Sequence, residues 1–167
     1  IVKRLNNLKE LNIADYVFVG GALANNFLKE KGMDIGTSRV SIENFNLKDY
    51  LNNPKLILPI DFERKGNSIV DAGPKTVEEL KKYINKSKFV LWNGPLGEYE
   101  NGFKNPTLEL AKIIAESGVQ SVIGGGDTLS AISELGLEDK FTFVSTGGGA
   151  MIQYLADGTL PGIEALG

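Results

Sequence analysis

Glycine clusters that close apolar runs constrain this chain more than any other feature. Val119-Gln120-Ser121-Val122-Ile123 is β-rich, and Gly124-Gly125-Gly126-Asp127-Thr128 follows it at once. Leu129, Ala131, Ile132 and Leu135 then carry helical spacing. Strand, glycine turn and helix N-terminus together make an anion site, and Asp127 can reach a metal ion bound to that anion. Two readings fit: a nucleotide phosphate–magnesium site, or a tight strand-to-helix turn with a capping Asp. The pattern recurs. Phe141-Thr142-Phe143-Val144 leads through Ser145-Thr146 to Gly147-Gly148-Gly149 and a helical run over 150–155. Tyr16-Val17-Phe18-Val19 leads to Gly20-Gly21 and a helix over 22–31, where the glycines either admit a flat base or phosphate or pack helix on strand. Two glycine triplets at strand ends carry more weight than one, because several N–H groups can then converge on a triphosphate.

The remaining chain repeats the order strand, loop, helix. Leu5, Leu8 and Leu11 suit a helix over 2–11. Leu47, Tyr50 and Leu51 suit a short one in the ambiguous stretch 40–53. Leu56-Ile57-Leu58 reads as a strand ended by Pro59, followed by a loop or edge ribbon over 60–64. Asp61 reads as a solvated turn acid, with a ligand-site residue as the alternative. Lys65-Gly66-Asn67-Ser68 is a turn, and Ile69-Val70 a short strand. Pro74 opens a helix whose apolar face is Val77, Leu80 and Ile84. Lys88 to Trp92 is a strand running into Asn93-Gly94-Pro95-Leu96-Gly97, with Glu98 and Glu100 beyond. This loop is either rigid and solvated or a ligand site in which an acid receives ribose hydroxyls. Thr107 helps to start the helix that Ser117-Gly118 ends, and Pro161-Gly162 makes the last segment loop-like. Strands that are apolar throughout fit a parallel sheet covered on both faces. The predicted fold is α/β: a three-layer α/β/α Rossmann-like domain with a mainly parallel β-sheet. Ligands of such sheets bind beyond the carboxyl ends of the strands, where the glycine segments fall. Neither G-x-G-x-x-G nor G-x-x-x-x-G-K-[ST] is present, which argues against a dinucleotide dehydrogenase and an ordinary P-loop enzyme.

Composition narrows the chemistry. The 167 residues, 42% hydrophobic, suffice for one domain with a sizeable core. Without cysteine or histidine, thiolate and imidazole catalysis and ordinary zinc sites are excluded, so a metal must use oxygen ligands, which suits magnesium. A net charge of −3 without a long basic tract disfavours nucleic acid. No signal peptide and no long apolar span is present, so no membrane partner and a cytoplasmic location are expected. Ile1 in first place and a helix-like opening predict a piece of a longer protein.

Trp92-Asn93-Gly94-Pro95-Leu96-Gly97, Gly124-Gly125-Gly126-Asp127-Thr128 and Ser145-Thr146-Gly147-Gly148-Gly149-Ala150 closely resemble phosphoglycerate kinase, in their order and separation. Gly20-Gly21-Ala22-Leu23-Ala24, Asp71-Ala72-Gly73-Pro74 and Leu160-Pro161-Gly162-Ile163-Glu164-Ala165-Leu166 add matches. The resemblance covers nearly all of residues 1–167 and implies the C-terminal, nucleotide-binding domain of that enzyme. It implies the loss of the domain's first strand, with its lysine-bearing glycine loop, and of the N-terminal phosphoglycerate-binding domain. The family is a two-domain monomer of glycolysis. It exchanges a phosphoryl group between 1,3-bisphosphoglycerate and ADP, giving 3-phosphoglycerate and ATP with Mg2+. By resemblance Asp127 coordinates magnesium, and Thr128 supports the phosphates beside Gly124, Gly125 and Gly126. Gly147, Gly148 and Gly149 border the transfer site. Glu100 holds the ribose hydroxyls, Asn93 and Pro95 shape the phosphate and sugar channel, Gly20 and Gly21 lie beside the adenine, and Leu96 lies nearby. Such a reaction needs alignment and charge stabilisation more than an acid or base, so the lack of histidine is tolerable. The expectation is a kinase whose isolated fragment is inactive; the alternative is a non-catalytic nucleotide-binding or structural fragment.

Overall fold

The computed structural model describes residues 14–40 and 47–166. The helix expected over 2–11 lies outside them, as does most of the first half of the ambiguous stretch 40–53. The elements are β1 (Val17–Phe18), α1 (Gly21–Glu30), α2 (Lys48–Leu51), β2 (Leu56–Ile57), β3 (Phe62–Lys65), β4 (Ser68–Ala72), α3 (Pro74–Ile84) and β5 (Phe89–Asn93). They continue with α4 (Asn105–Ser117), β6 (Gln120–Gly124), α5 (Gly126–Glu134), β7 (Phe143–Ser145), α6 (Gly148–Asp157) and α7 (Pro161–Glu164). The domain is a three-layer α/β/α Rossmann-like fold with mainly parallel strands, as the apolar runs predict.

Strands β5, β6 and β7 lie side by side and parallel, and β1 pairs in parallel with β2. The antiparallel exception is the hairpin β3–β4, closed by the expected turn at 65–68. Its register shifts between Glu63 and Arg64, so Glu63 faces Asp71 while Arg64 faces Ile69. Val70 is the extra residue of this bulge, and its carbonyl accepts the N–H of Glu98 at 2.8 Å instead of a ladder partner. The hairpin is thereby tied to the loop after β5.

The helices bury the predicted faces. Helix α3 buries Val77, Leu80 and Ile84, and α4 buries Leu110, Ala111, Ile113 and Ile114. With Trp92, Ile123 and Ile132 they form the larger core. A second cluster gathers Phe27 and Leu28 of α1 with Val19, Ile35, Leu47 and Ile69. The faces of the central sheet are covered unequally among the described residues. Trp92 and Ile123 are buried, whereas Phe89, Leu91 and Phe143 are exposed. Among the described residues the cover is therefore fuller on the Trp92 and Ile123 face of β5–β7 than on the face of Leu91 and Phe143.

Three local expectations are corrected. Asp61 is not a solvated turn acid. Its Oδ2 accepts the N–H of Lys75 at 2.9 Å, and its Oδ1 accepts the N–H and the hydroxyl of Thr76, both at 2.7 Å. An acid placed before the hairpin thus satisfies the N-terminus of the helix after it, where Gly73 and Pro74 offer no side-chain cap. Thr107 does not cap α4. It lies inside the first turn, fully buried, and its hydroxyl accepts the N–H of Leu96 at 2.9 Å. Pro161 opens a short helix rather than a loop, consistent with the preference of proline for the first helical turn.

Partial burial tends to raise the pKa of Asp61, but the hydrogen bonds from Thr76 and Lys75 outweigh it and hold the carboxyl below its ordinary value of 3.8. The cap therefore stabilises the fold above that value, and its contribution is lost as pH falls through the lowered folded pKa. Asp61→Ala should cost about 1–2 kcal/mol at neutral pH. Urea denaturation at neutral and acidic pH checks this: the difference from the unsubstituted chain should shrink in acid.

Candidate nucleotide site

The ends of β5, β6 and β7 are level. Asn93, Gly124 and Ser145 occupy one row of the register, so the loops leaving the three strands start side by side. The side chain of Asn93 lies where they meet. A Cβ on Gly148 would collide with Asn93 Oδ1 and with the backbone of Gly125. A Cβ on Gly124 would come within 3.0 Å of Asn93 Oδ1 and of Gly148 Cα. Gly125 adopts φ +94°, a conformation that side chains rarely take. The glycines are thus required by close packing between loops at Gly148 and by backbone conformation at Gly125. Asn93 Oδ1 is buried and has no hydrogen-bond partner among the described residues. That exposes the structure to the cost of an unmet acceptor, which a bound donor would relieve.

The loop after β5 is pinned from several directions. Gly94 N–H donates to Thr128 Oγ1 at 3.0 Å, and the Trp92 indole N–H donates to Gly94 O at 2.8 Å. Thr128 is fully buried, so its position in α5 is bound to the position of Gly94. Further on, the turn 99–101 is tied to the far end of α5. Tyr99 Oη donates to Glu134 Oε2 at 3.0 Å, and Lys104 Nζ donates to both Glu134 oxygens at 2.6 and 2.8 Å. The hydrogen bonds from Lys104 and Tyr99 hold Glu134 below its ordinary pKa, while desolvation and the charge of Glu134 raise that of Tyr99. Helix α5 therefore carries Asp127 at one end and braces the turn bearing Glu100 at the other.

A cleft of about 290 Å³ lies against these loops. Gly21, Leu96, Glu100 and Asp127 of the predicted set line it, with Asp71 and Arg39. Gly20 does not line it but packs beside Leu96, which does: a Cβ there would come within 3.6 Å of Leu96 Cδ2 and 3.0 Å of Phe18. A Cβ on Gly21 would come within 3.9 Å of Pro95 O, so the first glycine pair meets the loop after β5. Asp127 is half-buried and Glu100 exposed. Glu98, the other predicted carboxylate, accepts from Asn101 Nδ2 at 2.8 Å. The triplet Gly147–Gly149 does not line this cleft. It adjoins the site through buried Gly148, while Gly147 and Gly149 are exposed. Gly126 faces open space.

Sequence reasoning missed Asp71 and Arg39 as cleft residues. For Asp71 a signal was present: an acid inside the apolar run Ile69-Val70-Asp71-Ala72 must be either paired or poised. No group of three or more acidic side chains that could hold a metal occurs among the described residues. A lone carboxylate such as Asp127 still fits magnesium, which takes few protein ligands and completes its shell with phosphate oxygens and water. No helix among the described residues is long and apolar enough to cross a membrane.

Comparison with known proteins agrees with this architecture. The phosphoglycerate kinase family pattern matches residues 2–158. The phosphoglycerate kinase of Solibacter usitatus is 40% identical over 92% of this chain and 45% of its own length. That of Oenococcus oeni is 39% identical over 93% of this chain and 45% of its own. Among solved structures, phosphoglycerate kinase from Coxiella burnetii superposes with a TM-score of 0.82 at 32% identity, covering 99% of this chain and 49% of that one. The enzyme from Pyrococcus horikoshii gives a TM-score of 0.76 at 31% identity. The chain belongs to the phosphoglycerate kinase family. It spans about half the length of the relatives it matches.

Thr128→Val keeps the shape of the side chain and removes the acceptor for Gly94 N–H. It should cost about 0.5–1.5 kcal/mol, the usual net worth of one hydrogen bond, since Gly94 is half-buried. Gly148→Ala should destabilise by about 1–3 kcal/mol, through overpacking against Gly125 and Asn93. Chemical denaturation of each variant measures both.

Proposed function

We propose that the chain is the C-terminal, nucleotide-binding domain of a phosphoglycerate kinase and supplies its MgADP/MgATP site. The observation that carries this reading is the meeting of three strand-end loops at Asn93, beside a cleft lined by Glu100 and Asp127. Such a junction leaves little room for side chains and offers backbone N–H groups to an anion. The parent enzyme transfers the phosphoryl group of 1,3-bisphosphoglycerate to the terminal phosphate oxygen of ADP, giving 3-phosphoglycerate and ATP, and the reverse.

In this reading Gly20, Gly21 and Leu96 flank the adenine, and Glu100 accepts the ribose hydroxyls. Asn93 and Pro95 shape the channel between sugar and phosphates. Gly124, Gly125 and Gly126, with Thr128 and the start of α5, seat the phosphate chain. Asp127 supplies the protein's oxygen ligand to magnesium. When bound, that ion offsets the charge on the phosphate oxygens. The N–H groups of Gly147, Gly148 and Gly149 receive the charge of the phosphoryl group in transfer. The acyl phosphate is already activated, so the site's task is alignment and charge stabilisation.

The phosphoglycerate site belongs to a second, N-terminal domain of the parent. Among the described residues the β1–β2 pair and β5–β7 are separate sheets. It works as a monomer in the cytoplasm, with no nucleic-acid or membrane partner.

Calorimetric titration with MgADP should give one-site binding. Asp127→Ala should weaken it by roughly tenfold, the worth of one charge-assisted contact. Supplied with MgADP and 1,3-bisphosphoglycerate, the isolated chain should show no substantial turnover. No binding by the folded chain would reject the nucleotide site, and turnover would reject the need for a second domain.

A further inference from the structure

One buried acid of the cleft has no part in the chemistry above. Asp71 lies near the end of β4 and is 2% exposed. Its Oδ1 accepts the N–H of Ala72 at 2.8 Å. Its Oδ2 is buried and has no hydrogen-bond partner among the described residues. The carboxyl group fills the space that a side chain on Gly97 would occupy. One residue earlier in β4, the Val70 carbonyl accepts the N–H of Glu98. Adjacent residues of β4 thus hold adjacent residues of the loop, one by a hydrogen bond and one by contact.

That loop carries Leu96 on one side of Gly97 and Glu100 on the other. We propose that Asp71 is a positioning residue for the nucleotide: its carboxyl sets the height of the Gly97–Glu98 backbone, and its protonation state decides how well Leu96 and Glu100 fit the ligand. This rests on the nucleotide reading of the cleft. Contact with Gly97 leaves the loop no slack, so a change at the carboxyl must be taken up by the backbone above it. Loss of the proton places an unpaired charge beneath that backbone, in a site without a second donor.

Other charged groups surround it. Glu63 faces Asp71 across the β3–β4 hairpin. Arg39 follows α1, Glu98, Tyr99 and Glu100 belong to the loop, and Asp127 opens α5, all lining the same cleft. Asp61 and Lys75 meet at the cap of α3, the helix that follows β4. Burial pushes the Asp71 carboxyl up to about 7, the Ala72 N–H opposes the rise, and the charge of Glu63 adds to it. Because the folded value exceeds the ordinary 3.8, the folded chain holds this proton more tightly, and stability falls as pH rises between the two. The functional consequence has the same sign: the neutral acid is the binding form.

The test compares the chain with Asp71→Asn, which keeps an acceptor for Ala72 N–H and does not titrate. MgADP affinity is measured by calorimetry across neutral pH, and the ratio of the two affinities cancels the titration of ADP itself. The ratio should fall by roughly tenfold as pH rises through about 7, within the usual range of coupling between two sites. Without nucleotide, the amide resonances of Gly97 and Glu98 should titrate near the same pH in the unsubstituted chain and not in Asp71→Asn. Glu63→Gln, which leaves Asp71 in place, should move that midpoint down, and it serves if Asp71→Asn does not fold. Amides that titrate in a chain that binds no MgADP at any pH would sink the nucleotide reading and retain the positioning by Asp71. Amides insensitive to pH, or a constant affinity ratio, would overturn the proposal.

Discussion

Close approach of backbones at the ends of β5, β6 and β7 is the constraint on which the site depends. Parallel strands in register bring their C-terminal loops to one edge, and a side chain at Gly148 would not fit against Gly125 and Asn93. The packing of the core serves the same end. Ile123 and Trp92 are buried in the rows just before the loops, against α3, α4 and α5, and fix where each strand stops. Gly94 N–H to Thr128 Oγ1 then locks one loop onto the helix that follows another. Loops are ordinarily the variable part of such a fold. Here they share one junction, so none can shift alone.

Helix α5 transmits order across the site. Its first turn holds Asp127 and Thr128, and its last turn holds Glu134, which receives Tyr99 and Lys104. The last contacts are exposed, and the Lys104–Glu134 ion pair contributes little to stability. Their effect is geometric: they limit the freedom of the turn that presents Glu100. The cleft residues come from separate stretches of chain, from α1, Arg39 beyond it, Pro59 and Phe62, β4, the loop after β5 and the start of α5. A rigid helix spanning two of them reduces what a ligand must organise on binding.

Much of this was legible in the sequence, for identifiable reasons. Apolar runs closed by glycine announced the parallel strands and the edge where a ligand binds, and Val77, Leu80 and Ile84 announced α3. The same reasoning failed where a residue's partner is distant in sequence. Asp61 reads as a turn acid until the hairpin folds back and presents the N-terminus of α3 to it. Thr107 reads as a cap until Leu96 claims its hydroxyl. Asp71 stood inside an apolar strand, which signalled a special role, but its neighbour Gly97 is 26 positions away, so the contact is a property of the fold and not of the local pattern. The uneven cover of the sheet was hidden for a related reason: Leu91 and Phe143 are as apolar as their buried neighbours.

The cap on α3 also bears on how this fold can change. Asp61 closes onto Thr76 across 15 residues, and Gly73 N–H donates to the carbonyl of the same Asp61 at 2.8 Å. Chain entry and chain exit are thus clasped together, with the β3–β4 hairpin emerging between them. The entropy of closing a loop grows slowly with its length. A clasp of this kind isolates the helix from the outer part of the segment it encloses. The 65–68 turn is held as well: Asn67 O accepts the N–H of Thr37 at 3.3 Å and Thr37 Oγ1 pairs with Ser68 Oγ at 2.6 Å, while the bulge at Val70 and the carboxyl of Asp71 stay seated against the loop after β5. The hairpin is therefore fixed at both ends, the outer one to the segment after α1 and the inner one to the site.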